Sequence, residues 1–281
     1  MINLPLWVDE EGDPDRKVFR QAVLLILRSI AQSSKLSPVM VMKGGVLLAI
    51  RYQSSRFTTD IDFSTSQKFQ DADIPTLLAD IENALAAVSS DNEYALALSL
   101  QSHEIKPSKR PNVSFPTLQM RIGYASRLNP KLLRNLEAKR SSKIVQIDYS
   151  FNEWASDIEV LRIDHGSLSM YPFHDLVAEK LRSVLQQPVR KRARYQDIYD
   201  LFLLLDRDIT EEDRKTILSK LIEASRDREV NIHQAAMRDE QVILLSRSQY
   251  DTALPSLVTG AVPSFELAYK TTQDFFESLP W

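Results

Sequence analysis

Two aspartates separated by a single isoleucine, Asp60 and Asp62, point more directly to chemistry than any other residues of this chain. On a strand, residues two apart point to the same face, so both carboxylates would meet one ligand. Two carboxylates this close repel each other unless a cation lies between them. Such hard oxygen ligands suit Mg²⁺, which takes its remaining ligands from water and substrate phosphates. A solvated acidic edge is the alternative for such a pair taken alone.

A pair of adjacent glycines, Gly44 and Gly45, precedes these aspartates in a chain that has only 6 glycines among its 281 residues. The pair follows a short apolar run at 39–42 and precedes a helical pattern at 46–52. Glycines let the backbone turn sharply there, and the N–H groups of a helix N-terminus favour an anion such as phosphate. A plain tight turn is the alternative for a lone glycine pair.

The composition excludes several other kinds of site. The chain has no cysteine, which removes disulfides, thiolate metal sites and cysteine nucleophiles. It has no G-x-S-x-G elbow and no Walker loop, and its four histidines show no metal-ligand spacing. Because the net charge is −3, any contact with nucleic acid must come from local patches. Short apolar runs and an acidic N-terminus predict a cytoplasmic protein without a membrane segment.

The elements that must position these residues fall into two groups. Alternating apolar residues predict strands at 56–63, 94–100, 118–124, 143–151, 158–163 and 168–171. Helical spacing predicts helices at 16–32, 46–52 and 75–88, and then, after Pro172, at 174–187, 195–205, 211–224 and 265–279. Strands followed by helices predict an α+β fold, with a mixed-sheet lobe at residues 1–168 and a helical C-terminal lobe at residues 169–281.

A predicted helix of the C-terminal lobe carries a lysine on its apolar face. At about 100° per residue, Lys180 lies within the apolar arc that includes Val177 and Leu181. A buried ammonium is costly unless it meets an anion. Asp197 and Asp200, three residues apart on the next helix, share a face with its apolar residues. A structural ion pair and a binding site for nucleotide phosphates are both open at this point.

Taken together, residues 43–63 resemble a known pattern. A glycine pair, a helix of about two turns and Asp-x-Asp on a strand resemble the core of the nucleotidyltransferase superfamily, to which DNA polymerase beta belongs. Within that superfamily, KGG, LLAIRY and SRFTTDIDF are similar to the AbiEii/AbiGii family of nucleotidyltransferase toxins. The matching positions are Lys43, Gly44, Gly45, Arg51, Arg56, Phe57, Thr58, Asp60, Ile61, Asp62 and Phe63.

A second block, AEKLRSVLQQPVRKRARYQDIYDLFLLL at 178–205, carries the same resemblance. It is similar to the family's Ala-Glu-Lys-Leu-Arg helix, basic link and Asp-x-x-Asp helix. Gln196 stands where the family usually has an arginine, and Arg192 or Arg194 is the expected substitute. Elsewhere the resemblance lies in the order of the elements.

The resemblance implies a polymerase-beta-like fold and metal-assisted transfer from an NTP, with one or two Mg²⁺ ions held by Asp60, Asp62 and a third acid. Asp148 is the best choice for that acid, since it alone places a charge on the face of 143–151 opposite the apolar set. It would hold a second metal ion or accept the proton of the attacking hydroxyl. The implied catalytic residues are Asp60, Asp62, Asp148, Lys180, Asp197 and Asp200. The implied nucleotide-binding residues are Lys43, Gly44, Gly45, Arg51, Arg56, Thr58 and Lys180.

Two basic clusters bear on the acceptor of the transferred group. Residues 121–143 contain seven Lys and Arg residues, and residues 180–194 contain six. Such clusters are either solvated faces or a surface for an RNA backbone, as a tRNA acceptor would require. The resemblance implies a toxin with a separately encoded antitoxin. A small-molecule acceptor, as in antibiotic adenylyltransferases, and an inactive nucleotide-binding regulator are the alternatives.

Overall fold

The protein was analysed as a computed structural model that describes residues 4–108, 113–153, 155 and 157–281. The chain forms two compact units. The first, called the sheet unit, comprises Met1–Arg51 and Thr58–Tyr171, and the second, called the helical unit, comprises Tyr52–Phe57 and Pro172–Trp281. The lobe boundary at 168/169 stays a prediction about domains, because compactness alone does not show that a segment folds independently.

The described part of the sheet unit contains a mixed sheet of seven strands, which confirms the predicted α+β fold class. In chain order the strands are β1 Val41–Lys43, β2 Asp60–Ser64, β3 Leu96–Lys106, β4 Thr117–Ser126, β5 Ile144–Ser150, β6 Glu159–Ile163 and β7 Gly166–Met170. Their order across the sheet is β3-β4-β5-β2-β1-β7-β6. The central strand β2 pairs antiparallel with β1 and parallel with β5.

The helices of the sheet unit are α1 Leu4–Asp9, α2 Pro14–Gln32, α3 Gly44–Tyr52, α4 Ile74–Ser90 and α5 Pro130–Glu137. Helices α2, α4 and α5 pack against strands of the sheet, and α1 packs against α2. The Asp13 side chain accepts a hydrogen bond from the Arg16 N–H and caps α2, whose long apolar face is fully buried. The sequence analysis did not predict α5, where Leu136 packs against Ala97 and Ala125 beneath the first basic cluster.

The helical unit contains the remaining described helices, as the sequence predicted for the region after Pro172. They are α6 Phe173–Leu185, α7 Gln187–Arg190, α8 Tyr195–Leu205, α9 Glu211–Arg226, α10 Glu240–Arg247 and α11 Phe265–Glu277. Thr210 and Asp213 form a capping box at the start of α9. Within the described ranges, each helix lacks the length and apolar character that crossing a bilayer requires.

A short segment between α3 and β2, residues 52–57, belongs to the helical unit and is called the strap. The Phe57 N–H donates to the Leu257 carbonyl at 2.7 Å, and the Thr259 N–H donates to the Ser55 carbonyl at 3.2 Å. The predicted strand 56–63 is therefore wrong in its first residues. Strand β2 begins at Asp60, because the strap backbone forms its hydrogen bonds with residues 257–259 instead of the sheet.

Candidate active site

Three aspartates meet on one face of the central strands. Asp60 and Asp62 lie on β2, where they alternate with the buried Ile61 and Phe63, and Asp148 lies on β5. Asp62 and Asp148 are direct partners in the parallel pairing of the two strands. One carboxylate oxygen of each aspartate lies within 4.8 Å of one oxygen of both others. All three side chains are half-buried.

Neighbouring polar side chains orient two of these carboxylates. The Thr58 hydroxyl donates a hydrogen bond to Asp60 Oδ1. Asp148 Oδ1 accepts from Gln119 Nε2 at 2.9 Å and from Gln146 Nε2 at 3.1 Å. Gln119 is the residue of β4 that pairs with Asp148. The sequence analysis missed both glutamines. Gln146 could have been found from its alternation with Asp148, whereas the place of Gln119 depends on a strand pairing that the sequence does not reveal.

The donor set fits a divalent cation. Three carboxylates bring three negative charges within a few ångströms of one another, and their oxygens are the hard ligands that Mg²⁺ takes. A cation between them would offset the mutual repulsion of the three carboxylates. The aspartates brought together by the fold, Asp60, Asp62 and Asp148, are those that the sequence assigned to the metal.

The first glycine of the pair leaves space for one of these carboxylates. Gly44 follows β1 directly and has φ +71°, a conformation that other residues adopt only with strain. A Cβ atom at this position would lie 1.9 Å from Asp62 Oδ2. Glycine is therefore required both by the turn and by the close approach of Asp62. Gly45 lies buried in the first turn of α3.

Lys43 lies beside the triad in the same row of paired residues. It is the β1 partner of Asp62, and its ammonium forms an ion pair with Glu153. The ammonium also lies 5.6 Å from the centroid of the Tyr171 ring, and the Tyr171 hydroxyl contacts Ser64 Oγ at 2.9 Å. Both partners of the ion pair have little exposed surface. The sequence analysis missed Glu153, because it lies beyond the end of β5 and outside its alternation.

Arg51, another predicted nucleotide-binding residue of the sheet unit, lies in the last turn of α3. Its guanidinium forms an ion pair with Glu159 of β6. A cation near a helix C-terminus also interacts favourably with the helix dipole.

The remaining predicted residues meet in a buried network within the helical unit. Lys180 Nζ of α6 donates to Asp197 Oδ1 at 2.8 Å and to Asp200 Oδ2 at 2.7 Å, both on α8. Arg56 of the strap donates to the two oxygens of Asp200 through Nε at 2.9 Å and Nη2 at 2.8 Å. The third donor group of Arg56, Nη1, reaches Gln196 Oε1 at 3.2 Å.

The ion pairs of this network keep the buried Asp200 carboxylate and the buried Lys180 ammonium in their charged forms. Burial by itself raises the pKa of Asp200, but Arg56 and Lys180 outweigh that effect and lower the pKa to about 2. Burial likewise lowers the pKa of Lys180, but the carboxylates of Asp197 and Asp200 outweigh it and raise the pKa above its ordinary value. The ion pair that the sequence left open as one interpretation is therefore present. A role for Lys180 in binding phosphate stays a prediction.

Comparisons with known proteins give the family and the fold of the chain. A sequence model of the family described as "Nucleotidyl transferase AbiEii toxin, Type IV TA system" matches residues 25–275. The structure is similar to that of MenT4, a nucleotidyltransferase toxin from Mycobacterium tuberculosis, with 16% sequence identity, a TM-score of 0.57 and coverage of 99% of this chain and 91% of that chain. It is also similar to JHP933 from Helicobacter pylori, with 17% identity, a TM-score of 0.54 and coverage of 96% and 93%. At such identities the two likenesses show the fold alone. No curated protein matches the chain.

Replacing Gly44 by alanine tests the close approach to Asp62. We expect Gly44→Ala to lower the affinity for Mg²⁺ or Mn²⁺ by at least about 10-fold, since the new Cβ displaces the Asp62 carboxylate. Titration calorimetry with each metal alone measures this.

The matched control is Gly260→Ala, which also has a positive φ, of 106°, but has no atom within 4 Å of the added Cβ. It carries the backbone strain, about 1–3 kcal/mol, without the collision. Metal binding by Gly44→Ala as tight as that of Gly260→Ala would contradict the steric argument.

The buried network predicts a specific dependence of stability on pH. Because the pKa of Asp200 is lowered to about 2 in the folded protein, its contribution is fully present above its ordinary value near 4 and is lost as the pH falls from about 4 to 2. We expect Asp200→Asn to destabilise the protein by about 3–5 kcal/mol at pH 7, because it breaks a buried ion pair. Below pH 4, the stability of Asp200→Asn should then fall less steeply with decreasing pH than that of the wild type. Urea unfolding at a series of pH values measures both effects.

Asp213→Asn serves as the comparison, since the pKa of Asp213 is also about 2, through hydrogen bonds from Thr210 and His174 at the surface. Exposed interactions of this kind contribute little, so we expect about 1 kcal/mol or less. Equal losses at pH 7 in the two variants would refute the buried-network account.

Proposed function

This chain belongs to the AbiEii family of nucleotidyltransferase toxins from type IV toxin–antitoxin systems, and from that membership we propose that it transfers an NMP group from an NTP to an RNA acceptor, with tRNA as the acceptor class. The membership confirms the resemblance found in the sequence and identifies the chain as a nucleotidyltransferase. It implies a nucleotide substrate, a divalent metal and an antitoxin partner. The observation that carries the proposed chemistry is the meeting of Asp60, Asp62 and Asp148 on adjacent strands.

The carboxylates have distinct proposed roles in this reaction. Asp60, Asp62 and Asp148 would hold Mg²⁺, which supplies charge neutralisation for the triphosphate and polarises the phosphoryl oxygens when bound. As the alternative to holding a second metal ion, Asp148 would accept the proton of the attacking hydroxyl. Its Oδ1 accepts hydrogen bonds from two amides, which orient the carboxylate. The hydroxyl oxygen forms a bond to the α-phosphorus, the bond from that phosphorus to the bridging oxygen breaks, and pyrophosphate leaves.

Residues beside the triad are proposed to bind the triphosphate and orient the nucleotide. Lys43 is paired with Glu153 and has little exposed surface, so contact with a phosphate requires the lysine to share or exchange that partner. The backbone at Gly44 and Gly45 lies at the start of α3, where the helix dipole favours an anion. Thr58 contributes by orienting Asp60. Arg51, at the opposite end of α3, is proposed to bind the nucleotide as well.

Lys180, Asp197, Asp200 and Arg56 are proposed to serve the nucleotide from the helical unit. Asp200 is fully buried, so its contribution is to hold Arg56 and Lys180 in place. Asp197 has some exposed surface and can meet a ligand directly. The network thus presents its lysine with a fixed position and a firmly held proton.

The basic clusters support an RNA acceptor to different degrees. The cluster at 121–143 is largely exposed and surrounds α5. In the cluster at 180–194, Lys180 and Arg182 are buried, so its surface charge comes from Arg190, Lys191, Arg192 and Arg194. Exposed Lys and Arg groups bind phosphates in a salt-dependent manner.

The proposal predicts that single carboxylate substitutions abolish transfer without unfolding the protein. We expect Asp60→Asn and Asp62→Asn each to reduce NMP transfer by at least about 100-fold, because each removes a charge that stabilises the reacting phosphates. The measurement uses Mg²⁺, each α-labelled NTP in turn and total tRNA as acceptor.

Asp71→Asn is the matched control, since Asp71 is an exposed acid of the same unit outside the triad. It should keep wild-type transfer, and circular dichroism should show all three variants folded. Wild-type turnover in Asp60→Asn or Asp62→Asn would rule out the proposed mechanism. Label that appears only on a small molecule would show that the acceptor is that molecule and not RNA. NTP binding without any transfer would favour a nucleotide-binding regulator.

A further inference from the structure

A polar cavity of about 310 Å³ opens in the helical unit, beside the buried network to which Asp197 and Gln196 belong. It is lined by the segment that leads into α8, by the first turn of α8 and by the turn after α10. The side chains that define its chemistry are Arg192, Arg194, Tyr195, Gln196, Asp197 and Gln249. Its volume lies at the lower end of the range of pockets for small ligands, about 300–1,000 Å³, which suits a single nucleotide unit.

The arginine segment of the cavity is held in place by a buried glutamine. Gln187 is 1% exposed, and its Oε1 accepts a hydrogen bond from the Arg194 backbone N–H at 2.6 Å. Its Nε2 donates to the Ser246 hydroxyl at 2.7 Å and to the Val184 carbonyl at 3.0 Å. One side chain thus links the segment to α6 and α10, so the backbone that carries Arg194 is held in place before a ligand binds.

The charge of the lining favours a ligand with one negative charge. Arg192 and Arg194 contribute two positive charges, and Asp197 contributes one negative charge. Asp197 Oδ1 already accepts from Lys180, and its Oδ2 lies 3.9 Å from Arg194 Nη1. A phosphodiester carries a single charge and accepts paired hydrogen bonds from guanidinium groups. A triphosphate carries several charges and, in the proposed reaction, is neutralised at the carboxylate triad.

The other lining groups fit the remainder of a nucleotide. Tyr195 offers an aromatic ring of the kind on which unpaired bases stack. The Gln196 side chain is fixed by Arg56, which donates to its Oε1, and its Nε2 donates to the Tyr195 hydroxyl at 3.3 Å. Gln249, in the turn after α10, adds a second amide to the lining. Amides can read the edges of a base that has left its stack.

We propose that this cavity binds one nucleotide of the acceptor RNA, with its phosphodiester on Arg192 and Arg194 and its base against Tyr195. The inference rests on the proposed function for its ligand, an RNA strand. It assigns Gln187 as the positioning residue of the site. It also assigns the acceptor phosphate to arginines and the triphosphate to the metal-binding carboxylates.

The test is the double variant Arg192→Gln/Arg194→Gln, studied in the full-length protein. We expect it to bind a short fluorescent single-stranded RNA at least about 10-fold more weakly than the wild type, measured by anisotropy without NTP. The slope of log affinity against log salt should decrease by about 0.7 for the lost phosphate contact. The KM for NTP in the transfer assay should remain unchanged.

Arg226→Gln is the matched control, since Arg226 is an arginine of the same unit with a highly exposed side chain. Gln187→Leu, which keeps both arginines, should weaken RNA binding and leave the NTP KM unchanged. RNA binding by the double variant equal to that of Arg226→Gln would overturn the inference, and so would a higher KM for NTP with unchanged RNA binding. If the wild type binds RNA but transfers no label to it, the proposed transfer to RNA is wrong. The RNA-binding data of the variants then still decide whether the cavity binds RNA. If the wild type binds no RNA, the inference falls.

Discussion

The parallel pairing of β2 with β5 is the constraint on which the candidate site depends, because it places Asp62 directly opposite Asp148. At an effective dielectric of about 20, two charges less than 5 Å apart repel by on the order of 3 kcal/mol. Fully burying an apolar side chain contributes about 1.5–3 kcal/mol, and Ile61, Phe63 and Ile147 are buried on the opposite face of the same strands. The core can therefore hold the carboxylates together against their repulsion. A shift of one residue would turn Asp148 to the other face and expose its apolar neighbours.

A second constraint holds the strap in the helical unit. Asp200 is fully buried between two cations, and losing either partner would leave an uncompensated charge in the interior. Arg56 binds both oxygens of Asp200, so the strap cannot shift without breaking two charge-assisted hydrogen bonds. The chain runs from Arg56 to Asp60 over only four peptide bonds. The network thus anchors the segment that leads into β2, which gives a structural reason for its buried charges.

The sequence predicted what is periodic and missed what depends on contacts distant in the chain. Alternation over 143–151 located β5 and placed Asp148 on the face away from the core, because the period of a strand needs no knowledge of its neighbours. Helical spacing likewise placed Lys180 on a buried face. The partner of Arg56 could not be read in this way, because Asp200 lies 144 residues further along the chain. Gln119 and Glu153 were missed for the same reason. The short helix α5 was missed because it is only eight residues long and buries a single leucine, Leu136.

The sequence explained the need for glycine at position 44 only in part. The sequence predicted a turn that exposes N–H groups to an anion, and the positive φ of Gly44 agrees with a sharp turn. The stronger constraint is the Asp62 carboxylate, which occupies the space of the missing side chain. A larger residue there would displace the Asp62 carboxylate before it affected any phosphate.

The charges of this protein are local, and their signs match different parts of the proposed reaction. A net charge of −3 gives no general attraction for nucleic acid, so recognition depends on where the charges lie. Three carboxylates in the sheet unit suit a metal, and through it a highly charged triphosphate. Two arginines in the helical unit, set against the one negative charge of Asp197, suit the single charge of a phosphodiester. An NTP and an RNA strand both present phosphates, so a transferase must distinguish them by charge as well as shape. Dividing metal-based and arginine-based recognition between the two units provides that distinction.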